Sequence, residues 1–365
     1  MANIFFGRGK KNHLIVDTSL LGLRGIFVNQ ENEEEPVLEK AFSSRWSSHL
    51  TKSPDDFEKN LQATLKSFAA YFPPRQFLVT FCSSDPSNRE KFVQIQNIDE
   101  EDELEEYLIS KKLMKASEDF LTDVHVIGPS ISEIKSHQDL IIHSVQRELA
   151  QYVMDTLEET GYELEALEFP SNSLIPFHNL FCEQAENQTD ALVYIGWEVS
   201  MVSVFFGGVR RFSHMLNFRL LDLMRLLVDK LGVDEDFALQ LVREELFEVL
   251  LDGKEGRVQY PEDLMNEIRE EMDYLLDELK RSLIFYSARV VEWKVEAVDR
   301  IFFTGLETRI DPFYNLIASS FPIPSKRIVP IEEIRFSDEV NAKIPKGAER
   351  DDFTLSFGLA LRHLT

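Results

Sequence analysis

Apolar residues recur along this chain with two periods, and the switches between them lay out its elements. Leu14–Val16 and Leu23–Val28 are short apolar runs of strand type around a tight turn. Val37–Trp46 gives a third strand, beyond the acidic loop Glu31–Glu35 and Pro36. Ser53 is placed to cap a helix, with Pro54 at its first position and Phe57, Leu61, Leu65 and Phe68 at helical spacing. Pro73-Pro74 stops it. Phe77–Cys82, Phe92–Ile98, Asp123–Ile131, Leu140–Val145 and Leu164–Phe169 read as strands, and Asp99–Leu113 and Glu148–Glu159 as helices. Gly161 stands where the second of these helices closes.

The opening pattern then recurs. Leu192–Ile195, Val199–Phe206 and Val209–Leu216 form a meander with turns at Gly196-Trp197-Glu198 and Gly207-Gly208. Leu220–Lys230 is a helix ended by Gly232. Asp234–Leu251 and Glu262–Trp293 are amphipathic helices, parted by the turn-rich Asp252–Gly256. Val298–Phe303 is a buried-type strand running into Gly305, Asp311–Ser320 is a helix, and Phe353–Leu361 is apolar. Two related α/β halves are therefore expected, with a compact α+β unit inserted in the first.

Composition narrows the function. The 365 residues carry a net charge of −25, which disfavours nucleic acid and anionic membrane surfaces and favours basic partner segments. Two cysteines, Cys82 and Cys182, fit buried thiols in a reducing compartment. Arg8, Lys10 and Lys11 are followed by no long apolar run, and the best spanning candidate, Ala191–Val209, is broken by Glu198 and glycines. A cytosolic chain without membrane insertion is expected.

Phosphate-loop, dinucleotide and nucleophile-elbow patterns are absent, and the eight histidines show no metal spacing. Neither catalytic nor metal residues are expected. The remaining constellation is the duplicated strand–turn. In an actin-like ATPase each half offers a turn whose backbone N–H groups hold phosphate, with an acid holding Mg²⁺ through water. Asp17 is such an acid, with Thr18 and Ser19 as the small residues; it could equally do no more than cap a turn.

Several segments together resemble the PilM family of type IV pilus assembly proteins, which are actin-like and related to FtsA. They are Phe5–Lys11 before Leu14, Val16–Ser19 with Leu23–Ile26, Glu148–Phe169, Asp299–Gly305, and the closing strand–helix Phe357–Arg362. The resemblance implies an actin-like/Hsp70-type ATPase fold. Residues 1–75 would form the first half (subdomain 1A, completed by 165–188 and 346–365), 76–164 the inserted subdomain 1C, and 189–345 the second half with a helical part at about 233–293. It also implies Asp17, Thr18, Ser19, Gly196 and Gly305 as nucleotide-cleft positions. Departures are evident. Ser19 replaces a glycine, and Arg24 alone represents the expected downstream cation. Tyr194 stands for the second acid, Trp197 and Glu198 for small turn residues, Arg219-Leu220 for a glycine pair, and Leu306-Glu307 for the end of the adenosine loop.

The expectation is a pseudo-ATPase scaffold at the inner membrane of a pilus or secretion machine. It would bind the cytosolic tail of a PilN-like protein, around Phe77–Leu108 and helped by the acidic run Asp99–Glu106, and would contact motor ATPases. GspL uses a similar domain fused to a membrane helix. The alternative is an ATP- and Mg-binding ATPase with nucleotide-dependent assembly, and homo-oligomerisation fits either. A membrane-tethered filament like FtsA is not expected, because no amphipathic anchor follows Leu361.

Overall fold

The computed structural model describes residues 12–19, 22–29, 37–46, 54–85, 87–114, 119–130, 137–183, 185–289, 298–305, 310–329, 335–337 and 353–362. The Phe5–Lys11 peptide, the acidic loop at 31–36, the Ser53 cap and Leu306-Glu307 lie outside the described residues.

Two sheets repeat one topology. In the first, β1 (Asn12–Ser19), β2 (Gly22–Asn29) and β3 (Val37–Arg45) form an antiparallel meander, and β4 (Phe77–Ser83) joins β1 in parallel. With β8 (Glu163–Glu168) and β14 (Arg335–Phe336) the order is β14-β3-β2-β1-β4-β8. In the second sheet, β9 (Thr189–Ile195), β10 (Ser200–Phe206) and β11 (Val209–Leu216) form the meander, and β12 (Arg300–Gly305) pairs in parallel with β9. With β13 (Ser325–Arg327) the order is β11-β10-β9-β12-β13. The duplication visible in the sequence is thus a duplication of strand order.

A third sheet has the order β5-β7-β6, built from β5 (Arg89–Gln96), β6 (Phe120–Pro129) and β7 (His137–Gln146). The strand at Phe77, which the sequence assigned to the inserted unit, pairs with β1 in the first sheet instead. Its run Phe77–Cys82 is buried almost throughout, as a parallel strand covered on both faces should be. Helix α2 (Glu101–Ser110) buries Leu104 and Leu108 on Val93, Ile95, Leu140 and Ile142 of the third sheet. The predicted helix 99–113 stops at Ser110, and Lys112 then adopts φ 55°.

The helices complete the layers. On the first sheet, α1 (Pro54–Phe68) and α3 (Arg147–Glu159) pack through Leu61, Leu65, Phe68, Val153 and Leu157. On the second sheet lie α5 (Leu220–Leu231), α6 (Glu235–Glu244), α7 (Leu246–Asp252), α8 (Glu262–Arg289) and α9 (Asp311–Ser319). The single helix predicted over 234–251 is broken at Glu245 (φ −142°), whose carboxylate accepts from the Arg257 N–H, the Arg257 side chain and the Tyr260 hydroxyl.

Between the two large sheets run α4 (Leu174–Phe181) and α10 (Thr354–Arg362). Phe177 and Phe357 stack there with ring centroids 6.2 Å apart. Thr354–Leu361 are all buried, so α10 is a core helix rather than an amphipathic one. The closing segment was predicted to include a strand, and it is helical throughout the described part. Gly358 makes the crossing fit: a Cβ there would lie 2.3 Å from the Ser173 carbonyl oxygen.

Candidate functional site

The sequence-derived positions fall in two places. Asp17 and Thr18 are buried near the end of β1, and Ser19 pairs through its backbone with Gly22. Asp17 faces Arg24 across the antiparallel pair, and the Arg24 guanidinium lies 3.3 Å from its carboxylate. A protein cation therefore stands beside the acid expected to serve Mg²⁺. Thr18 donates its hydroxyl to the Cys82 carbonyl at 3.5 Å, and its own carbonyl accepts from Ser84.

Gly196 and Gly305 meet at the ends of β9 and β12. Gly305 has φ +112°, and a Cβ on it would stand 2.0 Å from the Ile195 carbonyl oxygen, so only glycine fits. Gly196 is overlaid by Tyr194: the position of a Gly196 Cβ is 2.6 Å from that ring. Tyr194 belongs to the core between the sheets, together with Ile15, Cys82 and Phe302. Trp197, which stands where a small turn residue was expected, packs on the other side of the sheet among the helices, with the Arg243 guanidinium 5.3 Å from its ring centroid. The space over the turn is thus filled by Tyr194, not by Trp197.

The first N–H groups of α5, an electropositive end suited to phosphate, are already used. Leu220 donates to the Gly196 carbonyl at 3.3 Å and Leu221 to the Trp197 carbonyl at 3.0 Å. Arg219, just before the helix, forks onto Asp222 at 2.7 and 2.9 Å. The second turn is closed over: Gly196, Trp197 and Glu198 are all buried.

Two buried charge clusters escaped the sequence reading. In one, Asp190 on β9 accepts from His178 of α4 at 3.0 Å and from Arg300 of β12 at 2.8 Å through both oxygens. Burial pushes the Asp190 carboxyl up, but these partners outweigh it and hold it below the usual range. Nearby Cys182 is pushed up to about 12 by burial, then by Asp190, so it stays a protonated thiol without nucleophilic character.

The other cluster joins all three sheets. Glu90 on β5 sits opposite His143 on β7, with the imidazole 3.6 Å from its carboxylate. Arg210 of β11 lies 3.9 Å from Glu90 and donates to Asn172 at 2.9 Å; Ser171 donates to Glu90. Asn172 continues to Glu168 of β8 at 2.5 Å, and Glu168 pairs with Arg362 of α10. Burial pushes Glu90 up, yet Arg210, His143 and Ser171 more than offset it and bring the carboxyl to about 2. The signal was a pair of adjacent arginines, Arg210-Arg211, within a strand of the meander.

Among the described residues no group of His, Cys, Asp or Glu is placed to hold a metal ion, and no helix is long and apolar enough to cross a membrane. No protein-family model and no curated protein sequence matches the chain. Solved structures do. The PilM–PilN type IV pilus biogenesis complex is similar at 16% identity and TM-score 0.74, over 97% of this chain and 99% of that one. MreB 5 of Spiroplasma citri bound to AMPPNP is a more distant likeness, at 9% identity and TM-score 0.46 over 98% and 100%. So is the cytoplasmic domain of EpsL, an inner-membrane component of the Vibrio cholerae type II secretion system, at 13% and 0.34 over 62% and 76%. The repeated strand order and the end-to-end match to the PilM–PilN structure make this an α/β chain of the actin-like ATPase fold.

Proposed function

We propose that this chain is a scaffold of a type IV pilus or related secretion machine. It binds the cytosolic tail of a PilN-like inner-membrane protein and does not turn over ATP. The observation that carries the second half is the Tyr194 ring over Gly196, in the turn where phosphate would lie. The Arg24 side chain beside Asp17 supports it, since a protein cation and Mg²⁺ compete for the same carboxylate. The fold's likeness to the PilM–PilN complex supports the first half. So does the outer face of α2, where Glu101, Asp102, Glu103, Glu105 and Glu106 are exposed above buried Leu104 and Leu108, a surface suited to a basic tail. The chain would then sit in the cytoplasm, held at the inner membrane by its partner, with motor ATPases or further copies of itself docking on the same assembly.

The second reading, an ATPase with nucleotide-dependent assembly, draws on the retained Asp17 and Gly305. Thermal shift with MgATP separates the two. A ligand at a hundred times its Kd stabilises a native protein by about 2.7 kcal/mol, so a binder raises Tm clearly. We expect no rise, and a clear rise counts heavily against the scaffold-only reading. A pulldown from detergent-solubilised envelopes tests the scaffold: recovery of no bitopic inner-membrane protein counts against it.

A further inference from the structure

The third sheet does more than sit on the first half. β11 is an edge strand of the second sheet, and such an edge is normally paired, covered or blunted. Here β5 and β6 run against it. Phe92 of β5 packs against the core of the second half, its ring edge-to-face with Phe212 at 6.4 Å. Two adjacent arginines of β11 reach across. Arg210 meets Glu90, and Arg211 donates to the Pro129 carbonyl at 3.0 Å and lies 3.6 Å from the Asp139 carboxylate.

Neighbours on a regular strand point to opposite faces, so both reaching one unit needs an irregularity. The register supplies it. Phe212 pairs with Val204 and Arg210 with Phe205, which leaves Arg211 as the extra residue of a β-bulge. The acidic partners are fixed in turn. Gln94 holds Asp139 at 3.1 Å, and His143 and Ser171 hold Glu90. Through Asn172, Arg210 also ties this seam to the link between the first half and α4.

We propose that this seam is a latch, in which the bulge-aimed Arg210 and Arg211 clamp the three-stranded unit to the edge of the second half. An actin-like fold whose halves touch only near the cleft and its crossing helices can hinge about them. Here a second bond between the halves, routed through the inserted unit and away from the cleft, removes that freedom. The two halves and the inserted unit then move as one body. An event at the third sheet, such as a partner docking on α2, is felt directly at β11 and α8 without passing through the turns of Asp17 and Gly196.

Spin labels on Glu105→Cys of α2 and Asp273→Cys of α8 test this in the full chain. Both positions are exposed, and Cys82 and Cys182 are buried and will not compete for the label. Pulsed dipolar spectroscopy should return one narrow distance for the doubly labelled parent. Arg210→Gln, and the pair Arg210→Gln/Arg211→Gln, should lose that single distance and broaden or split it, with far-UV circular dichroism unchanged. Should the buried Arg210 variants fail to fold, Arg211→Gln alone, at a residue 13% exposed, decides by the same readout. A parent distribution already broad overturns the latch. So does a folded arginine variant that keeps the parent's narrow peak.

Discussion

Replacing Arg210 with methionine removes a buried guanidinium while keeping much of its packing volume. Its partner Glu90 is left in the interior with His143 and Ser171 only. The side chains are 4% and 1% exposed, so solvent screening discounts little. Breaking such a pair from one side costs roughly 3–5 kcal/mol, because an uncompensated charge stays buried. The pKa points the same way. Glu90 is held at about 2 in the folded chain by Arg210, with His143 and Ser171, against burial that pushes it up; an unfolded glutamate lies near about 4.3. The folded value is the depressed one. The stabilisation is therefore complete above pH ~4.3 and is lost as pH falls towards ~2. Urea unfolding followed by circular dichroism, on the parent, Arg210→Met, Glu90→Gln and the double variant, forms the cycle. Arg210→Met should be the worst of the three at pH 7, and Glu90→Gln should restore part of its loss, with a coupling of roughly 2 kcal/mol. The Arg210→Met penalty should shrink at pH 3, where a Glu90 without its partner protonates. Additivity within about 0.5 kcal/mol, or a penalty independent of pH, would show that Arg210 and Glu90 are not coupled through their charges.

Three further outcomes follow from single residues. Gly305→Ala forces a side chain onto the Ile195 carbonyl at φ +112° and should cost roughly 1–3 kcal/mol in urea unfolding; an unchanged midpoint would mean the β12 end is not fixed as described. Asp190→Asn removes the acceptor shared by His178 and Arg300 and should destabilise by roughly 3 kcal/mol, with faster amide exchange in β9 and β12 as the local signature. Asp234→Ala deletes the cap that accepts from the Phe237 N–H at 2.8 Å, costing about 1 kcal/mol, and Asp234→Ser should recover most of it.

The architecture was legible because it is written in local periodicity. Each strand of the two meanders and most helices follow from apolar spacing, and the recurrence of Leu14–Ser19 at Leu192–Gly196 anticipated the shared strand order. What escaped depends on contacts remote in sequence. Glu90 falls before the expected strand Phe92–Ile98, and Arg210 looks like an ordinary strand-surface charge until the third sheet is laid against β11. The bulge at Arg211 is a property of the pairing and leaves no mark in composition. The break at Glu245 depends on Arg257 and Tyr260, beyond the helix it interrupts. At the cleft, the substitutions were visible and their geometry was not. Tyr194 in place of an acid and Trp197 in place of a small turn residue were both visible, but not that one lies between the sheets and the other among the helices.

Helix α10 also constrains the order in which the molecule is made. It lies against β1, β2 and α4, so a segment near residue 360 completes a core whose first strand starts at residue 12. Until it leaves the ribosome, Ile15, Ile26, Leu192, Phe205 and Phe302 lack part of their cover. The nascent chain thus carries two preformed sheets with a shared apolar face still open, a state suited to chaperone capture and prone to association. Helix α10, made long after the strands it covers, is the element that joins the two half-molecules into one core.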